Sequence, residues 1–215
     1  MKLLKKELRL ALSPLTPFFL LFSFMTLIPG YPILVGSFFI CLGIFYSFQS
    51  AREAGDILYT ALLPIPKGDV VRGKLRLTLL FQLAGFGLML LLTVLRLTVL
   101  RGGVYAAVPM LPANGCYLAF ALLIFLCFNV LFVGGFFKTA YALGRPFILF
   151  TVAAFLLVGI AEVLHHVPGL DFLAAVEGPG LLLQLPLLAA AALAYALGTA
   201  LAGRRAVRRF EALDL

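Results

Sequence analysis

The chain has 215 residues, of which 63% are hydrophobic and 12% charged, and it carries a net charge of +8. Soluble domains run nearer half apolar and a quarter charged, so a water-soluble fold of this size is excluded and lipid is the fitting solvent. The basic excess lies in short clusters between apolar runs, which points to membrane topology and away from nucleic acid.

Residues 1–12 are too short and too charged to cross a bilayer. Lys2, Lys5, Lys6 and Arg9 seek headgroups while Leu3, Leu4, Leu8, Ala11 and Leu12 share a face, so this segment reads as an amphipathic helix on the cytoplasmic surface. No small-residue cleavage site follows the next apolar stretch, so a removable signal is not expected. A spanning helix needs roughly 20 mostly apolar residues. Six runs qualify: about 15–29, 33–50, 75–100, 115–137, 147–164 and 181–202. The first is short and is reached through Pro14 and Pro17. Pro29-Gly30-Tyr31-Pro32 reverses the chain after it. The expected fold is an all-α polytopic membrane protein forming a single transmembrane domain over residues 1–215.

With both ends cytoplasmic, fifteen of the seventeen Lys and Arg residues fall on the cytoplasmic side, and only Arg96 and Arg101 fall outside. The expected location is the cell (plasma or inner) membrane. Cys41, Cys116 and Cys127 are odd in number, lie in or at the edge of apolar runs and have no ligand-like spacing. Neither a disulfide framework nor a metal site is expected from them.

The longest stretch outside the membrane is 51–74. Asp56 can begin a short helix that Pro64 stops, with Ile57, Leu58, Ala61 and Leu62 on one stripe. Such a helix, lying along the cytoplasmic surface, fits a groove on a soluble partner, although an ordinary solvated loop is equally compatible. Asp69 sits where the next helix begins. Residues 68–75, Gly-Asp-Val-Val-Arg-Gly-Lys-Leu, nearly spell a phosphate-binding loop. Leu75 replaces the hydroxyl that would hold magnesium, and no α/β domain surrounds it. No catalytic set is expected in this chain.

Arg96 and Glu162 are the charges deepest in the spans and form a candidate intramembrane pair, with snorkelling to the outer interface as the plainer alternative. Glu162, His165 and His166 bring carboxylate and imidazole together, more simply as interfacial residues than as a metal or proton site. Gln82 and Asn129 fit hydrogen bonds between helices, and Ala190, Ala194, Gly198 and Ala202 form a small-residue packing stripe. The 21 Phe residues are weak support for apolar cargo, since Phe also faces lipid.

Glu53, then Leu63-Pro64-Ile65-Pro66-Lys67, Val70-Val71 and Lys74 ahead of a span resemble the first cytoplasmic loop of ABC-2 type permeases. The basic start, six spans and apolar stretch before the last span fit as well, so the resemblance covers essentially the whole chain. Pro66 stands where many members have a small polar residue. The resemblance implies a coupling helix that contacts a separate nucleotide-binding ATPase. It makes Glu53, Asp56, Leu58, Leu62, Pro64, Lys67 and Lys74 coupling candidates. It further implies that ATP and Mg are bound by that partner and not by this chain, and that a second permease copy or paralogue completes a path. Residues 167–180 resemble the family's partly re-entrant external segments. The implied role is export of a hydrophobic or amphipathic substrate (peptide, lipid or drug). A membrane-embedded enzyme lacks a catalytic cluster here, and a secondary transporter lacks visible inverted repeats. A membrane accessory or immunity protein remains the alternative, and an ATPase partner distinguishes it.

Overall fold

The computed structural model describes residues 6–8, 12–56, 59, 65–100, 102, 105, 110–139 and 142–212. Among these residues the chain is helical without strands. Helix α1 is Leu15–Phe19 and continues as a 3₁₀ helix over Leu20–Leu27. The others are α2 (Val35–Glu53), α3 (Lys67–Thr98), α4 (Gly115–Thr139), α5 (Gly144–Leu164) and α6 (Gly178–Glu211). Helices α3 to α6 are each long and apolar enough to cross a membrane. The polar end of α2, with Gln49, Arg52 and Glu53, shortens its apolar part. In α1 the 3₁₀ stretch rises faster than an α-helix. Its thirteen residues therefore reach about 24 Å, where an α-helix would reach about 20 Å.

Successive helices run in opposite directions. One face of the bundle gathers Lys6, the end of α2, the start of α3, the end of α4, the start of α5 and the end of α6. This basic face is opposed by one carrying the ends of α1, α3 and α5 and the starts of α4 and α6. Helix α2 stops at Gly55, whose φ of 64° is a conformation that suits glycine and turns the chain toward Asp56.

Helix α4 is the central rod. Of its most apolar stretch 72% is buried, against 17% for α6, whose outer side is left to lipid. Eight Phe residues, Phe48, Phe125, Phe128, Phe132, Phe136, Phe137, Phe150 and Phe210, are almost fully buried. They therefore serve packing within the bundle more than lipid contact. Phe48 meets Phe132 and Phe136 edge-on at 5.2 and 5.0 Å, and Phe137 meets Phe210 at 5.5 Å. Between helices in lipid the hydrophobic drive is weak, so such close packing and hydrogen bonds supply the cohesion.

Two expectations change. The small-residue stripe of α6 is only half used for packing: Gly198 lies against Leu126 and Ala202 is buried, but Ala190 and Ala194 are exposed. The buried stripe follows Ala191, Tyr195, Thr199, Ala202, Ala206 and Phe210, along which Tyr195 bonds Gln82 of α3, Thr199 bonds Asn129 of α4 and Phe210 meets Phe137 of α4. Helices α3 and α6 also start earlier or end later than the apolar runs, and the basic C-terminal segment is helical to Glu211. Residues 68–75 lie in the first turns of α3, a continuous helix that offers no phosphate-cradling loop.

Candidate functional site

The root of the 51–74 loop is a knot of four charges, Glu7 and Lys74 buried and Lys6 and Asp56 partly so. Lys74, one to two turns inside α3, points back into the protein and is 1% exposed. Its Nζ lies 2.5 Å from Glu7 Oε2 and 3.2 Å from Asp56 Oδ2. Lys6 Nζ reaches Asp56 Oδ1 at 2.5 Å and Glu7 Oε1 at 3.6 Å. Two cations and two anions cancel, which makes their removal from water tolerable. Burial pushes the Asp56 carboxyl up, but the ammonium groups of Lys6 and Lys74 outweigh it and hold it below its ordinary value. The knot thus ties the N-terminal segment, the start of the loop and α3 into one unit.

The candidates at this loop separate by position. Asp56 and Lys74 are brought together as its root. Glu53 is exposed and accepts from Gln49 Nε2 at 3.0 Å, one turn earlier on α2. Lys67 opens α3. Leu58, Leu62 and Pro64, and most of the expected helix after Asp56, lie outside the described residues, as does most of the expected amphipathic helix over 1–12. Tyr59 is 65% exposed. Glu7 and Lys6 were not singled out as partners by sequence reasoning. An acidic residue alone within a basic amphipathic segment was the available signal, since an uncompensated carboxylate there needs a cation from elsewhere in the fold.

Arg96 and Glu162 are placed near the opposite face, and no ion pair joins them among the described residues. Arg96 donates to the Thr26 carbonyl at 2.7 Å and stacks over the Tyr105 ring at 4.4 Å. Glu162 Oε2 accepts from the Leu111 amide at 2.9 Å. Arg96 satisfies itself on α1 because Thr26 lies within reach, its hydroxyl already engaged with Tyr117 at 2.7 Å. His165 is buried and lies against the Ala161 carbonyl, and its ring meets that of His166 in a tilted contact at 4.0 Å.

On that same face a 3₁₀ turn, Asp171–Ala174, is stapled between helices. Asn114 caps α4 by accepting from the Tyr117 amide and donates to the carbonyls of Leu173 and Ala175 at 2.7 and 3.1 Å. Gln184 of α6 donates to the Phe172 and Ala175 carbonyls at 2.6 and 2.9 Å and accepts from the Cys116 amide. The 167–180 stretch is thereby fixed to the bundle.

In the middle, Gln82 and Asn129 exchange two hydrogen bonds of 3.0 Å. Tyr195 donates to Gln82 Oε1 at 2.9 Å, and Asn129 donates to Thr199 at 3.0 Å. Asn129 sits in a π-helical turn, Phe128–Val133, and the Phe125 carbonyl just before that turn accepts from Gln82. The amides are interhelical pins joining α3, α4 and α6.

Residues 2–200 match a family model described as ABC-2 family transporter protein. No curated protein and no solved structure matches the chain.

Proposed function

We propose that this chain, which belongs to the ABC-2 transporter family and is a permease component of an ABC transporter, is half of an exporter driven by a separate cytoplasmic ATPase. Six crossings with both ends in the cytoplasm, a second permease copy and a hydrophobic or amphipathic cargo complete this reading. The supporting observation is the charge knot at Lys74, Glu7, Asp56 and Lys6. It makes a stiff mount beneath the loop, so force applied at the loop reaches α3 and the N-terminal segment together. The loop from Asp56 onward is the contact surface, with Leu58 and Leu62 as its apolar anchors. Lys74 and Asp56 transmit from below and do not touch the ATPase.

The test is co-purification of the ATPase with Leu58→Asp and Leu62→Asp variants, alongside ATP turnover in reconstituted vesicles. Each apolar anchor contributes roughly 1.5–3 kcal/mol if fully buried, so either change should release the ATPase while the permease stays inserted. Normal association and normal turnover in both variants would sink the coupling assignment. Sidedness is read by labelling single cysteines at Asp171 and Arg205 in a background without Cys41, Cys116 and Cys127. Only the first should react from outside intact cells.

A further inference from the structure

Helices α3 and α6, at 32 and 34 residues, are about 48 and 51 Å long, well beyond a hydrocarbon core of about 30 Å. Their surplus lies on the basic face, where the two extensions pack together. A methyl built on Gly68 would come within 2.7 Å of Glu211 Oε1, and one on Gly203 within 2.6 Å of Leu75 Cδ2. Between them opens a cleft of about 430 Å³, within the range of ligand sites. Its apolar lining is Val71, Leu75, Ala200 and Val207, and its charged lining is Arg72, Arg204 and Arg208 with the single carboxylate of Glu211. Arg72 holds Asp69 at 2.8 Å, whereas no carboxylate among the described residues pairs with Arg204 or Arg208. Just toward the membrane on the same ridge of α6, Leu197 and Leu193 are 64% and 63% exposed.

Two guanidinium groups with no carboxylate partner among the described residues, above a strip of exposed leucine, match one kind of ligand, which carries a phosphate and an acyl chain. We infer that the α3–α6 cleft binds an anionic phospholipid, its phosphate on Arg204 and Arg208 and an acyl chain along Ala200 and Leu197. A second pair of helices repeats the chemistry: the α4–α5 cleft sets Lys138 and Arg145 over Leu131, Pro146 and Leu149. The inference needs only the membrane embedding and is independent of the coupling reading.

The test is native mass spectrometry of the full chain in detergent, titrated with phosphatidylglycerol or phosphatidylcholine. The wild type should prefer phosphatidylglycerol. R204Q/R208Q should weaken its binding about ten-fold or more, and R204K/R208K should keep most of it. Ala200→Phe crowds the apolar lining without altering charge and should also weaken it. R205Q/R209Q removes the same charge from the side of α6 facing α4 and should leave binding at the α3–α6 cleft nearly intact. An equal loss in R205Q/R209Q would reduce the effect to diffuse attraction and overturn the site. Competition by glycerol 3-phosphate as strong as by the lipid would make it a phosphate site instead, and unchanged binding in Ala200→Phe would remove the cleft from the account.

Discussion

Lys74 Nζ and Glu7 Oε2 lie 2.5 Å apart with both side chains 1% exposed, so a loop at the membrane surface is anchored by an ion pair that water scarcely reaches. Removing one member strands the other. Lys74→Met should therefore destabilise the protein by about 3–5 kcal/mol, and Glu7→Gln by a comparable amount. The double variant should cost less than the sum, because it removes both charges together. Thermal unfolding in detergent completes the cycle, and strict additivity would show that the two do not interact.

Acid should loosen the same knot. The Asp56 carboxyl is held below its ordinary value in the folded protein, so the unfolded chain binds the proton first as pH falls. Its contribution is complete above the unfolded value of about 3.9 and is lost as pH drops through the lower folded value. The gap in melting temperature between wild type and Asp56→Asn should be steady near neutrality and close below about pH 4. A gap that stays constant to the lowest pH at which the protein remains soluble would contradict this account.

The central amides should behave as one unit. Gln82→Leu or Asn129→Leu each leaves a buried amide with fewer partners, at a cost of about 0.6–2 kcal/mol. The double change should cost little more than either single one, since each mutation already breaks both 3.0 Å bonds. Unfolding midpoints of the three variants decide the point.

Two glycines at close helix approaches should respond differently. A methyl on Gly43 would stand 2.5 Å from Phe19 Cβ and 3.3 Å from the Thr16 carbonyl, both near the α1 backbone. Thr16 also donates to the Gly43 carbonyl at 2.6 Å, so α1 cannot retreat freely, and Gly43→Ala should cost about 1–3 kcal/mol. At Gly198 the obstacle is Leu126 Cδ1, the end of a flexible side chain. There the helix-propensity gain of about 1 kcal/mol from alanine should offset the rotamer change. Expression and melting temperature of the two variants give the comparison.

The all-helical membrane architecture was legible in the sequence, as was the segregation of basic residues to one face. Apolar run length and charge placement are local properties, read from consecutive residues without knowing what they touch. The same reasoning found Gln82 and Asn129 as polar residues within apolar runs suited to hydrogen bonds between helices. Only the tertiary structure decided partners. Glu7 finds Lys74, Arg96 finds Thr26 and Tyr105 in place of Glu162, and Tyr195 bonds Gln82 across 113 residues of sequence. It also turned eight of the Phe residues inward and opened a basic cleft between two overlong helices. In lipid every helix is apolar all round, so periodicity gives little warning of which side faces a neighbour. That choice is made by close packing and by the need of each buried polar group for a partner, and both are settled only when the helices meet.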